Sequence, residues 1–123
     1  MTSSRPAALI VEDRPFIGLV ASDILSESGF DIFHADNADD AVSMLGKHPE
    51  IEVVVAEAQL SGGANGLELA RRLSRERPDV RLVVTAAGSE LAPSDVPVGV
   101  RFLHKPYASG ELRTSVAGEL EDA

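Results

Sequence analysis

The chain has 123 residues, no cysteine, 44% hydrophobic residues and a formal net charge of −9. That length fits one domain with a real apolar core, and the missing cysteines exclude a disulfide scaffold, a thiol nucleophile and a Cys-based zinc site. The acidity opposes binding to phosphate backbones, so nucleic acid is not an expected partner. The start, "MTSSRPAALIVED", lacks the apolar stretch of a signal peptide, and no later run is long enough to span a membrane, so we expect a cytoplasmic protein without membrane contact.

Apolar runs and amphipathic stretches alternate along the chain. "AALIV" (7–11) predicts a short buried strand. After Pro15, the spacing of Ile17, Val20, Ala21, Ile24 and Leu25 predicts a helix with that stripe inward, and Gly29 follows as its C-terminal stop. "FDIFHA" (30–35) alternates and predicts a less buried strand. Asn37 should cap a second helix with Ala38, Ala41, Val42 and Leu45 inward, closed by Gly46 and Pro49. "IEVVVAE" (51–57) is a third strand. Asn65 and Glu68 resemble a capping box for a third helix that buries Leu69, Ala70 and Leu73 and stops before Pro78. "VRLVVTAA" (80–87) is a fourth strand. Pro93 and Pro97 break the next segment, so residues 88–99 should hold a short helix or an irregular loop. "VRFLHK" (100–105) is a fifth strand. Ser109 should cap a last helix carrying Leu112, Val116 and Leu120, and the acidic end, "ELEDA", should fray into solvent.

Strands alternating with helices predict one α/β domain, with its core at about residues 7–120. It should be a five-stranded parallel sheet, doubly wound, covered by helices on both faces. Such sheets place their sites at the carboxyl ends of the strands. Strand one ends in Glu12-Asp13, strand three in Glu57, strand four in Thr85-Ala86 and strand five in Lys105-Pro106. Singly, each has an ordinary reading: Asp13 as a helix cap, Glu57 as a solvated strand-end acid, Thr85 as a β-branched strand residue, Lys105-Pro106 as a strand exit. Together they gather three carboxylates, a hydroxyl and an ammonium on one rim. Clustered carboxylates repel, and a hard cation such as Mg²⁺ suits oxygen ligands of this kind. A lysine and a hydroxyl nearby suit the oxygens of a phosphoryl group.

In order, these motifs resemble the receiver domain of two-component response regulators, over about residues 7 to 120. "LIVED" is similar to the acidic pair after the first strand, "LVVTAAG" to the strand-four hydroxyl with its small neighbour, and "FLHKP" to the fifth-strand lysine and its cis-proline. "LSGGANGLELA" resembles the loop and helix after the phosphoacceptor. The resemblance implies the flavodoxin-like three-layer (βα)5 sandwich with strand order 2-1-3-4-5. It implies Glu12, Asp13 and Glu57 as weak Mg²⁺ ligands, Thr85 and Lys105 as phosphoryl contacts, and Phe102 as the switch aromatic. A histidine kinase, a phosphotransferase or a downstream regulator would be the partner, and the domain would be a monomer or weak homodimer without enzymatic activity.

Two positions depart from the family. Glu57 stands where it has its acceptor aspartate, and Ser61 where it usually has proline. We expect a stand-alone receiver without an output domain. The added methylene of Glu57 moves its carboxylate outward by about 1.5 Å, into space meant for the phosphoryl group. We therefore expect a receiver that is not phosphorylated, in which Glu57 places a fixed charge near Thr85 and Lys105. It would mimic incompletely, with one charge against about −1.5 to −2 for a phosphoryl group.

Other readings follow from other classes. A conventional receiver would phosphorylate Glu57 itself. A flavodoxin-like small-ligand binder would need a Ser-, Thr- or Gly-rich loop after strand one, where this chain has "EDRP"; "SGGANG" lacks the P-loop lysine. His34, His48 and His104 lie on separate elements and form no metal motif. A plain docking module would leave the acidic rim idle.

Overall fold

The computed structural model describes residues 5–60, 66–87 and 92–117. The elements run β1 (Ala7–Val11), α1 (Pro15–Glu27), β2 (Asp31–Ala35), α2 (Ala38–Lys47), β3 (Ile51–Glu57), α3 (Gly66–Glu76), β4 (Arg81–Ala86), β5 (Arg101–His104) and α4 (Ser109–Ala117). The strands form one parallel sheet in the order β2-β1-β3-β4-β5, as expected.

Alternation along the strands divides the core between two faces. Ala8, Ile10, Val53, Val55 and Val83 meet Ala21 and Leu25 of α1 and Leu112 and Val116 of α4. Leu9, Val54, Val84 and their neighbours meet Ala41 and Leu45 of α2 and Leu69, Ala70 and Leu73 of α3. The central strands are buried on both sides, which is why they read as continuous apolar runs. β3 carries one irregularity: Ala7 pairs with Ile51 but Ala8 with Val53, so exposed Glu52 is an extra residue.

Several local expectations are corrected. Val20 is 56% exposed and belongs to the outer side of α1, with Phe16 and Leu19, while Ala21 and Leu25 face the sheet. The N-cap of α1 is Arg14, with no side-chain cap bond, so Asp13 does not cap it. α2 runs through Gly46 to Lys47. Ser109 is the first residue inside α4; the backbone N–H of Ala108, just before it, donates to Glu111 Oε1 at 2.7 Å. Asn37 does cap α2, accepting from the N–H of Asp40 at 2.8 Å, and Gly29 stops α1 at φ 102°, a conformation that favours glycine. Between β4 and β5 the described residues form only a single 3-10 turn, Pro93–Asp95, as the prolines require. The expectations for the Ile17 side chain, Ser61, Asn65, Leu120 and the acidic tail lie outside the described residues.

Candidate functional site

Register brings the strand-end residues together. Glu57 pairs with Thr85, Val11 with Ala56, and Thr85 with Leu103. Two residues beyond Ile10, Val55, Val83 and Leu103, therefore, Glu12, Glu57, Thr85 and Lys105 leave the sheet on the same side, the side covered by α1 and α4. Glu12, Glu57 and Thr85 are all buried, Glu57 to 2% exposure. A buried carboxylate needs partners, and Glu57 has four. Its Oε1 accepts from Lys105 Nζ, from Thr85 Oγ1 at 3.3 Å and lies 3.5 Å from Arg14 Nη2. Its Oε2 accepts from the backbone N–H of Gln59 at 3.4 Å.

Glu12 is held on both oxygens. Lys105 Nζ donates to Oε1 at 3.2 Å, and the Nε and backbone N–H of Arg14 donate to Oε2 at 3.1 and 3.2 Å. The Glu12 carboxylate raises the Arg14 pKa above its ordinary value, with smaller help from Glu57 and Asp13, so the guanidinium stays charged. Asp13 lies beside this cluster with Oδ1 buried. Phe102 sits apart, half-buried on the α2–α3 face and edge-on to His104, whose side chain also turns away from the lysine.

Two residues of the site escaped the sequence reading. Arg14 reads in the sequence only as part of a helix start, although a basic residue directly after an acidic pair is a usable signal. Tyr107, two residues past Lys105, lines the small cavity between Glu12, Glu57, Thr85 and Lys105. Burial raises its phenol pKa, and the charges of Glu57 and Glu12 raise it further. The start of α3 closes the far side: Gly66 donates to Ala58 O at 3.0 Å, and a Cβ on it would lie 2.1 Å from Glu57 O.

The cavity itself is about 10 Å³, room for about one water molecule. Outward from it, Phe16, Val20, Ala87, Pro106 and Tyr107 form an apolar groove of about 460 Å³ that shares Lys105 with the site. Phe16 is 82% exposed there.

The family model of the response regulator receiver domain matches residues 8–117. The chain belongs to this family. Over 127 residues it is 30% identical to a protein-glutamate methylesterase/protein-glutamine glutaminase of Natronomonas pharaonis, covering 99% of this chain and 35% of that protein. It is 32% identical over 120 residues to the response regulator protein PilR of Pseudomonas aeruginosa, covering 95% of this chain and 26% of PilR. The chain thus spans about a third or less of these relatives. In fold it matches a response regulator receiver protein from Sinorhizobium medicae WSM419, with a TM-score of 0.83, 23% identity and 94% of each chain covered.

Receiver domains act in two-component signalling, are generally non-enzymatic modules, and interact with kinases and downstream effectors. They typically bind Mg²⁺ at the acceptor site. The residues of this receiver fit such an ion poorly. Both oxygens of Glu12 and one of Glu57 are already held by Lys105 and Arg14, and among the described residues no group of three acidic or histidine side chains is arranged to hold a metal. No helix among the described residues is long and apolar enough to cross a membrane.

Proposed function

We propose that this receiver domain signals through protein–protein contact without being phosphorylated, and that Glu57 is a fixed charge in place of a phosphorylated aspartate. The observation that carries the reading is the direct contact of Glu57 Oε1 with both Lys105 and Thr85. Those are the two side chains that the family resemblance assigns to the phosphoryl oxygens. Two further facts support it. Phosphoryl transfer to a carboxylate needs the attacking oxygen in line and within about 3–3.5 Å of phosphorus, whereas Glu57 Oε1 is already engaged by Lys105, Thr85 and Arg14. The apolar groove beside Lys105 gives a protein partner a surface continuous with the charge cluster. The partner class is a histidine kinase, a phosphotransferase or a downstream regulator.

A fixed charge shifts a two-state equilibrium only by its differential interaction with the two states. One charge-assisted hydrogen bond made in one state alone is worth about 1.5–3 kcal/mol, enough to move an even mixture to about ten-to-one or beyond. The test has two parts. Incubated with a small acyl phosphate and Mg²⁺, the protein should show no acid-labile mass gain of one phosphate; a gain that disappears in Glu57→Gln would overturn the reading. Partner affinity should fall in Glu57→Gln with the fold intact; equal affinity would leave Glu57 idle and the domain a plain docking surface.

A further inference from the structure

The charge around Glu12 is organised by a residue for which receiver chemistry has no assigned task here. Arg14 lies two residues past Glu12, at the turn into α1, and its half-exposed arm folds back over the acids of the site. Its Nε and its backbone N–H both reach Glu12 Oε2, at 3.1 and 3.2 Å, and its Nη2 reaches across to Glu57 Oε1 at 3.5 Å. The guanidinium therefore bridges acids from two strands. From the opposite side Lys105 bridges the same two acids. Two basic side chains, one of them an arginine, thus face the three carboxylates Glu12, Asp13 and Glu57.

We infer that Arg14 is the resident counter-ion of this site, doing the charge neutralisation that a receiver otherwise obtains from a divalent cation, so that the acidic pocket is complete without metal. Three physical points support the inference. Carboxylate oxygens engaged by charge-assisted hydrogen bonds must release them before they can ligate a cation. Mg²⁺ demands near-octahedral oxygen coordination, whereas among the described residues no group of three acidic or histidine side chains is arranged to hold a metal. Arginine cannot be deprotonated to make way, and being covalently fixed two residues from Glu12 it does not dilute as a free ion does. The N-terminal end of α1, which begins at Pro15, adds positive potential on the same side.

The inference rests on the surroundings of Glu12 and not on the reading of Glu57 as a signal. A phosphate-labelled wild-type protein would defeat that reading, whereas the outcome below decides this one. Mn²⁺ is the probe, titrated against the full chain and followed by the electron paramagnetic resonance signal of the free ion. Arg14→Met and Arg14→Gln should both keep the fold intact, checked by circular dichroism, since the arginine side chain is half exposed. Both should bind Mn²⁺ at least about ten-fold more tightly than wild type, because a competing full charge has been removed from the ligands. The gain should vanish when Glu12→Gln is added. Correspondingly, Mg²⁺ should raise the Tm of the Arg14 variants and leave the wild-type Tm where chelator leaves it. Equal Mn²⁺ affinity in wild type and Arg14 variants overturns the inference, and so does a gain that survives Glu12→Gln.

Discussion

Lys105→Met is the substitution that tests most directly how the buried acids are held. The lysine side chain is 16% exposed and touches Glu57 and Glu12, whose side chains are 1% and 4% exposed. Methionine matches its length and removes its charge. Breaking a buried ion pair by removing one partner typically costs about 3–5 kcal/mol, because the other charge stays buried without compensation. Here the loss is cushioned. Arg14 remains on both acids and Thr85 remains on Glu57, so we expect the low end, about 3 kcal/mol at pH 7. The second half of the prediction is non-additivity. Glu57→Gln in the Lys105→Met background should recover about 1.5–3 kcal/mol, the worth of a charge-assisted hydrogen bond. Urea denaturation of the four proteins, followed by circular dichroism, gives the cycle. A loss below about 1 kcal/mol, as for an exposed ion pair, or additive effects in the cycle, would refute the picture of a buried, mutually dependent cluster.

Two further outcomes are expected. Tyr107 is the only tyrosine in the chain, so phenolate absorbance reads it alone. It should titrate above the ordinary value of about 10 because of burial and the charge of Glu57, and Glu57→Gln should lower its titration point. A phenol raised in the folded state contributes stability that is complete below the unfolded pKa and is lost as pH rises, so melts above about pH 10 should weaken less in Tyr107→Phe than in wild type; a phenol titrating at or below the ordinary value contradicts the arrangement. Gly66→Ala should cost about 3 kcal/mol, the upper range for overpacking, since its Cβ would meet the backbone oxygen of Glu57 at 2.1 Å. A urea midpoint indistinguishable from wild type would show that α3 can retreat from the strand end.

Much of this arrangement is legible in the amino-acid sequence. The strands announced themselves because central parallel strands are apolar on both faces, and β3 and β1 were placed to the residue. The rim could be read because parallel strands all end on one side, so Glu12, Glu57, Thr85 and Lys105 had to converge if the strands were right. What failed were decisions between chemically similar choices. α1 has apolar residues on two faces, Ala21 and Leu25 within and Phe16, Leu19 and Val20 without, and hydropathy alone does not say which face meets the sheet. At α4 a serine looked like the cap, whereas the acid at Glu111 reaches back to Ala108. Arg14 was missed for a deeper reason. Strand periodicity predicts where side chains leave a strand, but a side chain in the turn beyond it has no period, and only the fold shows that it reaches back to Glu12 and Glu57.

The extra residue in β3 bears on how this chain tolerates changes in length. Glu52 stands outside the ladder, between Ile51 opposite Ala7 and Val53 opposite Ala8. Removing it would leave a regular strand, with every side chain from Val53 to Glu57 still facing as it does now. Removing a residue further along could be absorbed only by drawing Glu52 into the place opposite Ala8, which has 0% exposure, and so by setting an acid into an apolar layer. Left unabsorbed, such a deletion would turn the carboxylate at the strand end to the far side of the sheet, out of reach of Lys105. A central strand is ordinarily intolerant of deletions, yet the register shift at Glu52 gives this one a position where a deletion should be tolerated. That position acts as a spacer, and the reading frame of the functional rim begins just after it.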